Sequence, residues 1–121
     1  MKTTKADFEY FKKCCQKWID FWGLYQFNFE YFHEDRDETV PARASYESYH
    51  SSQGINIYLS TDWEVSITKE KIDLCAFHEI TELLLVPLRA KAFYSFAHQE
   101  IEHDTHEIIR RLENCVFKRL K

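Results

Sequence analysis

The spacing of the hydrophobic residues changes once near the N-terminus, and this change limits the folds open to the chain. Over residues 6–22 they recur every three or four positions, which predicts an amphipathic helix. Over residues 24–32 aromatic residues alternate with polar ones, which predicts a half-buried strand. A helix followed by a two-residue period predicts an α+β fold, in which helices cover a sheet.

Two more alternating segments and two helices complete the predicted architecture. Residues 40–49 and 55–59 are predicted strands, and their short connections favour a mainly antiparallel three-stranded sheet. An apolar helix is expected from about residue 69 to residue 86, where Pro87 ends it. The last helix is expected to begin near Ala97 or Phe93 and to reach Leu120. Its expected buried stripe consists of Ile101, Ile108, Leu112, Cys115 and Val116.

Composition narrows the classes of function. With 121 residues the chain fits one domain, so residues 1–121 are expected to form a single unit. The net charge of −4 argues against nucleic acid as a partner, since such binding needs a basic face. No apolar run approaches the roughly 18–20 residues that span a bilayer. The polar N-terminus lacks a secretory segment, so we expect a cytoplasmic protein with reduced cysteines and no membrane partner.

The second predicted helix carries an unusual polar group. His78 and Glu82 stand four residues apart, so they share one helix face, and Glu79 lies beside them. Buried carboxylates without partners cost several kcal/mol each, and a divalent metal offsets that cost. In the H-E-x-x-H signature two histidines hold zinc, and the glutamate is a general base toward the zinc-bound water. Here Glu82 takes the place of the second histidine, and carboxylate is also a zinc ligand.

A third ligand has to come from another element. Helical projection favours Glu102 or His98 on the last helix, and His106, one turn after Glu102, is predicted to orient that ligand. The sequence thus predicts a zinc site whose candidate ligands are His78, Glu82, Glu102 and His98.

A purely structural interpretation of the same residues stays open. In it, His78 is a core histidine with its hydrogen bonds satisfied. Glu82 then forms a salt bridge with Arg89, Arg110 or Arg111.

Two segments carry a family resemblance. Residues 74–88 read LCAFHEITELLLVPL and residues 107–114 read EIIRRLEN. They resemble small phage and prophage proteins of zincin-like metallopeptidase type, whose pattern has an H-E-x-x-H-L-L-L-x-P-L helix and a closing R-L-E-N-like helix. The resemblance implies a minimal zincin-like domain acting in the host cytoplasm on a peptide or protein, with His78 as ligand and Glu79 as general base. Glu82 departs from the family pattern.

Three functions follow from these features. The first is a zinc-dependent, peptidase-like hydrolase, in which a hydroxyl of Tyr46, Tyr49 or Tyr58 stabilises a developing oxyanion. The second is a catalytically inactive zincin-like protein that binds or regulates a host protein. The third is a structural component of a virion. An open cleft at the motif favours the enzyme, whereas a salt bridge from Arg89 or Arg110 favours the binding protein.

Overall fold

A computed structural model describes residues 1–36, 42–49, 53–93 and 95–120. It shows an N-terminal helix, a three-stranded sheet and a helical C-terminal half, which confirms the predicted α+β class. The helices are α1 (Lys5–Trp22), α2 (Lys69–Glu82), α3 (Val86–Ala92), α4 (His98–Leu112) and α5 (Lys118–Leu120), and the strands are β1 (Asn28–His33), β2 (Ala44–Tyr49) and β3 (Gly54–Leu59). A 3-10 turn, Leu83–Leu85, joins α2 to α3, and a π-helical turn, Glu113–Phe117, joins α4 to α5.

Local signals in the sequence fix both ends of α1. The Thr4 side chain accepts a hydrogen bond from the Asp7 backbone while the Asp7 carboxylate accepts one from the Thr4 backbone, forming a capping box. Gly23 ends the helix in the left-handed conformation at φ 69°, where a side chain would be strained. The predicted first helix is confirmed.

The sheet is mixed, with the strand order β1-β3-β2. Strand β3 pairs antiparallel with β2, as expected, but parallel with β1. The three strands alternate in direction along the chain, yet β3 lies between the other two. Ile55, Ile57 and Leu59 are at most 1% exposed, so β3 is the strand that gains most from the central position.

Helix α2 packs against α1 through aromatic side chains, and this contact anchors the functional face described below. The rings of Trp18 and Phe77 meet edge to face, with centroids 4.8 Å apart. The prediction that one helix continues until Pro87 is wrong: α2 ends at Glu82, and Pro87 lies in the first turn of α3. Proline is tolerated there because the first turn of a helix leaves its backbone N–H groups unpaired.

The apolar stripe predicted for the last helix is wrong in part. Ile108 is 43% exposed and Cys115 is also exposed, whereas Thr105, Ile109 and Phe117 are buried. Leu112 and Val116 do pack against the core. The face of α4 that lies toward α2 is partly polar. A search for the most apolar stripe does not detect such a face.

Within the described residues, no helix combines the length and the apolar character that crossing a membrane requires.

Candidate metal centre

The last turns of α2 bring the first two candidate ligands together. Nε2 of His78 lies 2.9 Å from Oε2 of Glu82, as expected for side chains one helical turn apart. Glu82 is only 6% exposed, and His78 is half-buried. A carboxylate at this depth needs positive partners, which the surrounding elements supply.

Helix α4 contributes a third side chain with a metal-binding atom. Nε2 of His106 lies 4.0 Å from Oε2 of Glu82, and the rings of His78 and His106 have centroids 5.7 Å apart. One ligand atom from each of His78, Glu82 and His106 lies within 4.8 Å of the other two. Ligands placed tetrahedrally around zinc are about 3.3 Å apart, so small side-chain movements would complete such a site.

His78 is bound to a carboxylate at each ring nitrogen. Nδ1 lies 2.8 Å from Oε2 of Glu113, while Nε2 is directed at Glu82. Burial lowers the pKa of His78, but the hydrogen bonds to Glu113 and Glu82 and the nearby charge of Glu79 outweigh it and raise the pKa to about 10. The two carboxylates therefore favour the protonated form of the ring when no metal is bound.

The two oxygens of Glu82 have different partners. Oε1 lies 3.2 Å from Nη1 of Arg89, while Oε2 is the oxygen near His78 and His106. Arg89 also donates to the Tyr46 hydroxyl at 2.7 Å. The guanidinium thus fixes the orientation of the Glu82 carboxylate and leaves Oε2 directed at the two imidazoles.

Glu79 lies in an open cleft beside this cluster. The cleft has a volume of about 320 Å³ and is lined by Ala42, Arg43, Ala44, Glu64, Leu74, Cys75, His78, Glu79 and Glu113. Among the described residues, none forms a hydrogen bond or ion pair with the Glu79 carboxylate. Burial, reinforced by the charge of Glu82 and opposed by His78, raises the pKa of Glu79 to about 8. A carboxylate with a pKa near neutrality suits proton transfer.

The structure places the other predicted ligands outside this cluster. The Glu102 carboxylate forms an ion pair with Arg89, and His98 is exposed and stacks on Phe93 with ring centroids 3.9 Å apart. His106, predicted to orient Glu102, instead approaches Glu82. Of the residues of α4 considered in the sequence, it is therefore His106 that joins His78 and Glu82.

Sequence reasoning also missed Glu113, although a signal for it exists. Glu102, His106, Ile109 and Glu113 are separated by four, three and four residues, which places them on one helix face. Because three of the four are polar, this face does not stand out in a search for apolar stripes. A search for polar side chains at helical spacing would find it.

The three tyrosines predicted to stabilise an oxyanion lie on two faces of the sheet. Tyr49 and Tyr58 donate hydrogen bonds to Oε1 of Glu47, at 2.8 Å and 2.6 Å. Tyr46 points to the opposite face, as alternation along β2 requires, and it is the tyrosine that contacts Arg89. Burial raises the pKa of Tyr46, so its hydroxyl stays protonated. The oxyanion role stays a prediction.

Comparison of the chain with protein-family models, with curated proteins and with solved structures finds no match. The resemblance to zincin-like metallopeptidases therefore remains a prediction from the sequence.

Proposed function

We propose that this protein is a metal-dependent, peptidase-like hydrolase in which His78, Glu82 and His106 hold zinc and Glu79 is the general base. The observation that carries the proposal is the Glu79 carboxylate, which has no partner among the described residues. It lines a cleft beside three side chains whose ligand atoms already converge. A pKa raised to about 8 makes it able to accept and return a proton near neutral pH.

The donor set favours zinc among the common divalent metals. Two imidazoles and one carboxylate match the three protein ligands of a catalytic zinc site, which leaves one position for water or substrate. Mg²⁺ and Ca²⁺ prefer oxygen ligands throughout, so they fit this cluster less well.

The roles of the metal ion and of Glu79 follow from the chemistry of hydrolysis. A divalent ion held by His78, Glu82 and His106 would supply a Lewis acid and would lower the pKa of a bound water. Glu79 removes a proton from the attacking water, whose oxygen forms a bond to the carbonyl carbon of the amide. Glu79 then transfers the proton to the leaving amine as the C–N bond breaks, and the carboxylate returns to its starting state. Glu79, close to the positive charge that such an ion would carry, would then favour its ionised form, as a base requires before each turnover.

The position of the cleft favours an extended substrate. Its wall includes Ala42, Arg43 and Ala44, at the start of β2, which lies at the edge of the sheet with β3 on one side. A peptide laid along an edge strand gains main-chain hydrogen bonds without needing a particular sequence. This placement supports a peptide or a protein segment as the substrate.

Turnover of a labelled, unstructured protein substrate, measured with zinc added, tests the proposal. Glu79→Gln is expected to lower kcat at least about 100-fold, the usual contribution of a general base, while the zinc affinity changes little. Glu64→Gln is the matched control, because Glu64 lines the same cleft but pairs with Arg43 at 2.9 Å. Equal activity of the unsubstituted chain and Glu79→Gln would overturn the mechanism.

One observation favours the second candidate, a catalytically inactive protein that binds a host protein. Arg89 pairs with both Glu82 and Glu102, which is the kind of salt bridge expected of a site that no longer holds metal. The net charge of −4 would then suit a basic partner surface.

The two candidates differ in what removal of Arg89 does. In the inactive protein, the unsubstituted chain takes up no zinc, and Arg89→Gln creates binding because it frees Glu82. In the hydrolase, the unsubstituted chain binds zinc, and Arg89→Gln weakens binding because Glu82 loses the donor that orients it. Zinc titrations of the two proteins by calorimetry separate these outcomes.

A further inference from the structure

Among the described residues that line the cleft, Glu113 is the one whose side chain contacts a proposed metal ligand on the side opposite the metal. Its Oε2 lies 2.8 Å from Nδ1 of His78, and its side chain is 19% exposed. The two nitrogens of an imidazole point away from each other, so a group on Nδ1 does not compete for an ion on Nε2. Glu113 can therefore determine which nitrogen of His78 carries the proton, and it does so without being a metal ligand itself.

We propose that Glu113 is the positioning residue of this centre: it accepts a hydrogen bond from Nδ1–H of His78, so that Nε2 is the nitrogen that gives up its proton and binds the metal. The inference rests on the proposed function and adds to it a residue on a different helix from His78.

Metal binding by His78 depends on which of its two nitrogens carries the proton. A neutral imidazole has one N–H, and only the other nitrogen has a lone pair to give to a metal. Without Glu113, the hydrogen bond from Nε2 to Glu82 at 2.9 Å would favour the proton on Nε2, which is the wrong form for binding. A carboxylate on Nδ1 reverses this preference and makes the ring a stronger ligand.

The fold holds Glu113 in place through the π-helical turn that begins with it. Phe117, at the end of that turn, is buried, and its ring lies 5.5 Å from the ring of Phe77 and 5.9 Å from the ring of Trp18. Phe77 directly precedes His78 on α2. The Phe117 ring therefore packs on α2 next to the residue that the Glu113 carboxylate contacts. The π-helical turn thus contains both the buried Phe117 ring and the Glu113 carboxylate that accepts the hydrogen bond. Such turns are frequent at functional sites.

A glutamate of α4, the helix that precedes the π-helical turn, shows what a merely structural contact looks like. Glu107 pairs with Arg111 one turn later at 3.7 Å, and the side chains are 45% and 79% exposed. Pairs of this kind contribute little and are screened by salt. Glu107 is the matched control, since it has the same side chain on the adjoining helix α4, and it pairs with Arg111 rather than with a proposed metal ligand.

The test compares the unsubstituted chain with Glu113→Gln, Glu113→Ala and Glu107→Gln. Zinc affinity is measured by competition with a fluorescent chelator, and the protonation of His78 in the zinc-loaded protein is followed by ¹⁵N NMR of the imidazole. Glu113→Gln keeps a neutral acceptor and is expected to weaken zinc binding about 10-fold, whereas Glu113→Ala, which has none, weakens it about 100-fold. Glu107→Gln should stay within about 2-fold, as expected for an exposed pair.

The spectrum separates positioning from a general loss of structure. The account predicts an Nδ1–H signal of His78 in the unsubstituted and Gln proteins, and its loss or shift in the Ala protein. If the unsubstituted chain binds zinc but both Glu113 variants match Glu107→Gln, or if Glu113→Ala weakens binding with the His78 signal unchanged, the inference is overturned and the proposed function stands. If the unsubstituted chain itself binds no zinc, the proposed function fails, and the role of Glu113 fails with it.

Discussion

Two carboxylates on helix α2, six residues apart, have opposite surroundings. Asp73 faces α1, where Nε1 of Trp18 donates to one oxygen at 2.8 Å and Nζ of Lys17 to the other at 2.7 Å. Glu79 faces the cleft, and no described residue donates a hydrogen bond to it. One helix therefore has a face on which a buried charge is fully paired and a face on which it is not.

The difference indicates which face serves stability and which serves chemistry. A paired carboxylate such as Asp73 joins two helices and has nothing left to offer a ligand. An unpaired carboxylate beside the negative charge of Glu82 costs folding free energy, which is typical of catalytic groups. His78 and Glu82 of α2 form a cluster with His106 of α4, which supports this division between the two faces of α2.

The largest expected effect concerns His106, the third proposed zinc ligand, which α4 contributes. His106→Ala is expected to weaken zinc binding more than about 100-fold, since even partners outside the ligand set contribute 10–100-fold. Glu102→Gln should change the affinity only a few-fold, because Glu102 is occupied by Arg89. A chelator competition assay compares the two variants. The opposite ranking would restore Glu102 as the third ligand and remove His106 from the site.

The next effect tests the paired face. Asp73→Ala leaves the buried N–H of Trp18 without an acceptor and is expected to lower the free energy of unfolding by about 2 kcal/mol. Asp20→Ala, at an exposed carboxylate of α1, should change it by less than about 0.5 kcal/mol. Urea denaturation measures both values. A loss of zinc affinity in folded Asp73→Ala would contradict the separation of the two faces.

The smallest expected effect tests the cost of the unpaired charge in chelator-treated protein. The pKa of Glu79 is raised from an ordinary 4.5 to about 8, so the folded chain holds the proton more tightly than the unfolded chain does. The unsubstituted chain should therefore lose stability, relative to Glu79→Gln, as the pH rises from 4.5 through 8. Because the Glu79 side chain is only partly buried, water in the cleft screens its charge, and we expect a difference of about 1 kcal/mol at pH 9 and none at pH 4. If the free energies of unfolding of the unsubstituted chain and Glu79→Gln differ by the same amount at pH 4 and at pH 9, the prediction of an unpaired, destabilising Glu79 is contradicted.

Local sequence signals were enough to predict most elements of the fold. The capping residues and Gly23 define α1, and the two-residue alternation marks all three strands. The central position of β3 was not predictable from local pattern, because it depends on how the three strands pair with one another. Pro87 misled the prediction, since proline is compatible with both the end of one helix and the first turn of the next.

The candidate site was predictable only where its residues lie on one helix. His78, Glu79 and Glu82 are fixed by their spacing on α2, and their placement requires no knowledge of the tertiary fold. The contributions of His106 and Glu113 depend on how α4 crosses α2 and on the π-helical turn, neither of which leaves a clear mark in the sequence. Projection onto an apolar stripe therefore favoured Glu102 and His98 over the residues that approach α2.

Native mass spectrometry of the purified chain after incubation with zinc tests the central claim most directly. The account predicts one zinc ion per unsubstituted chain and none in His78→Ala, with Glu107→Gln retaining the ion. An unsubstituted chain that stays free of zinc, or a His78→Ala variant that keeps it, would contradict the assignment of this face of α2 as a metal centre.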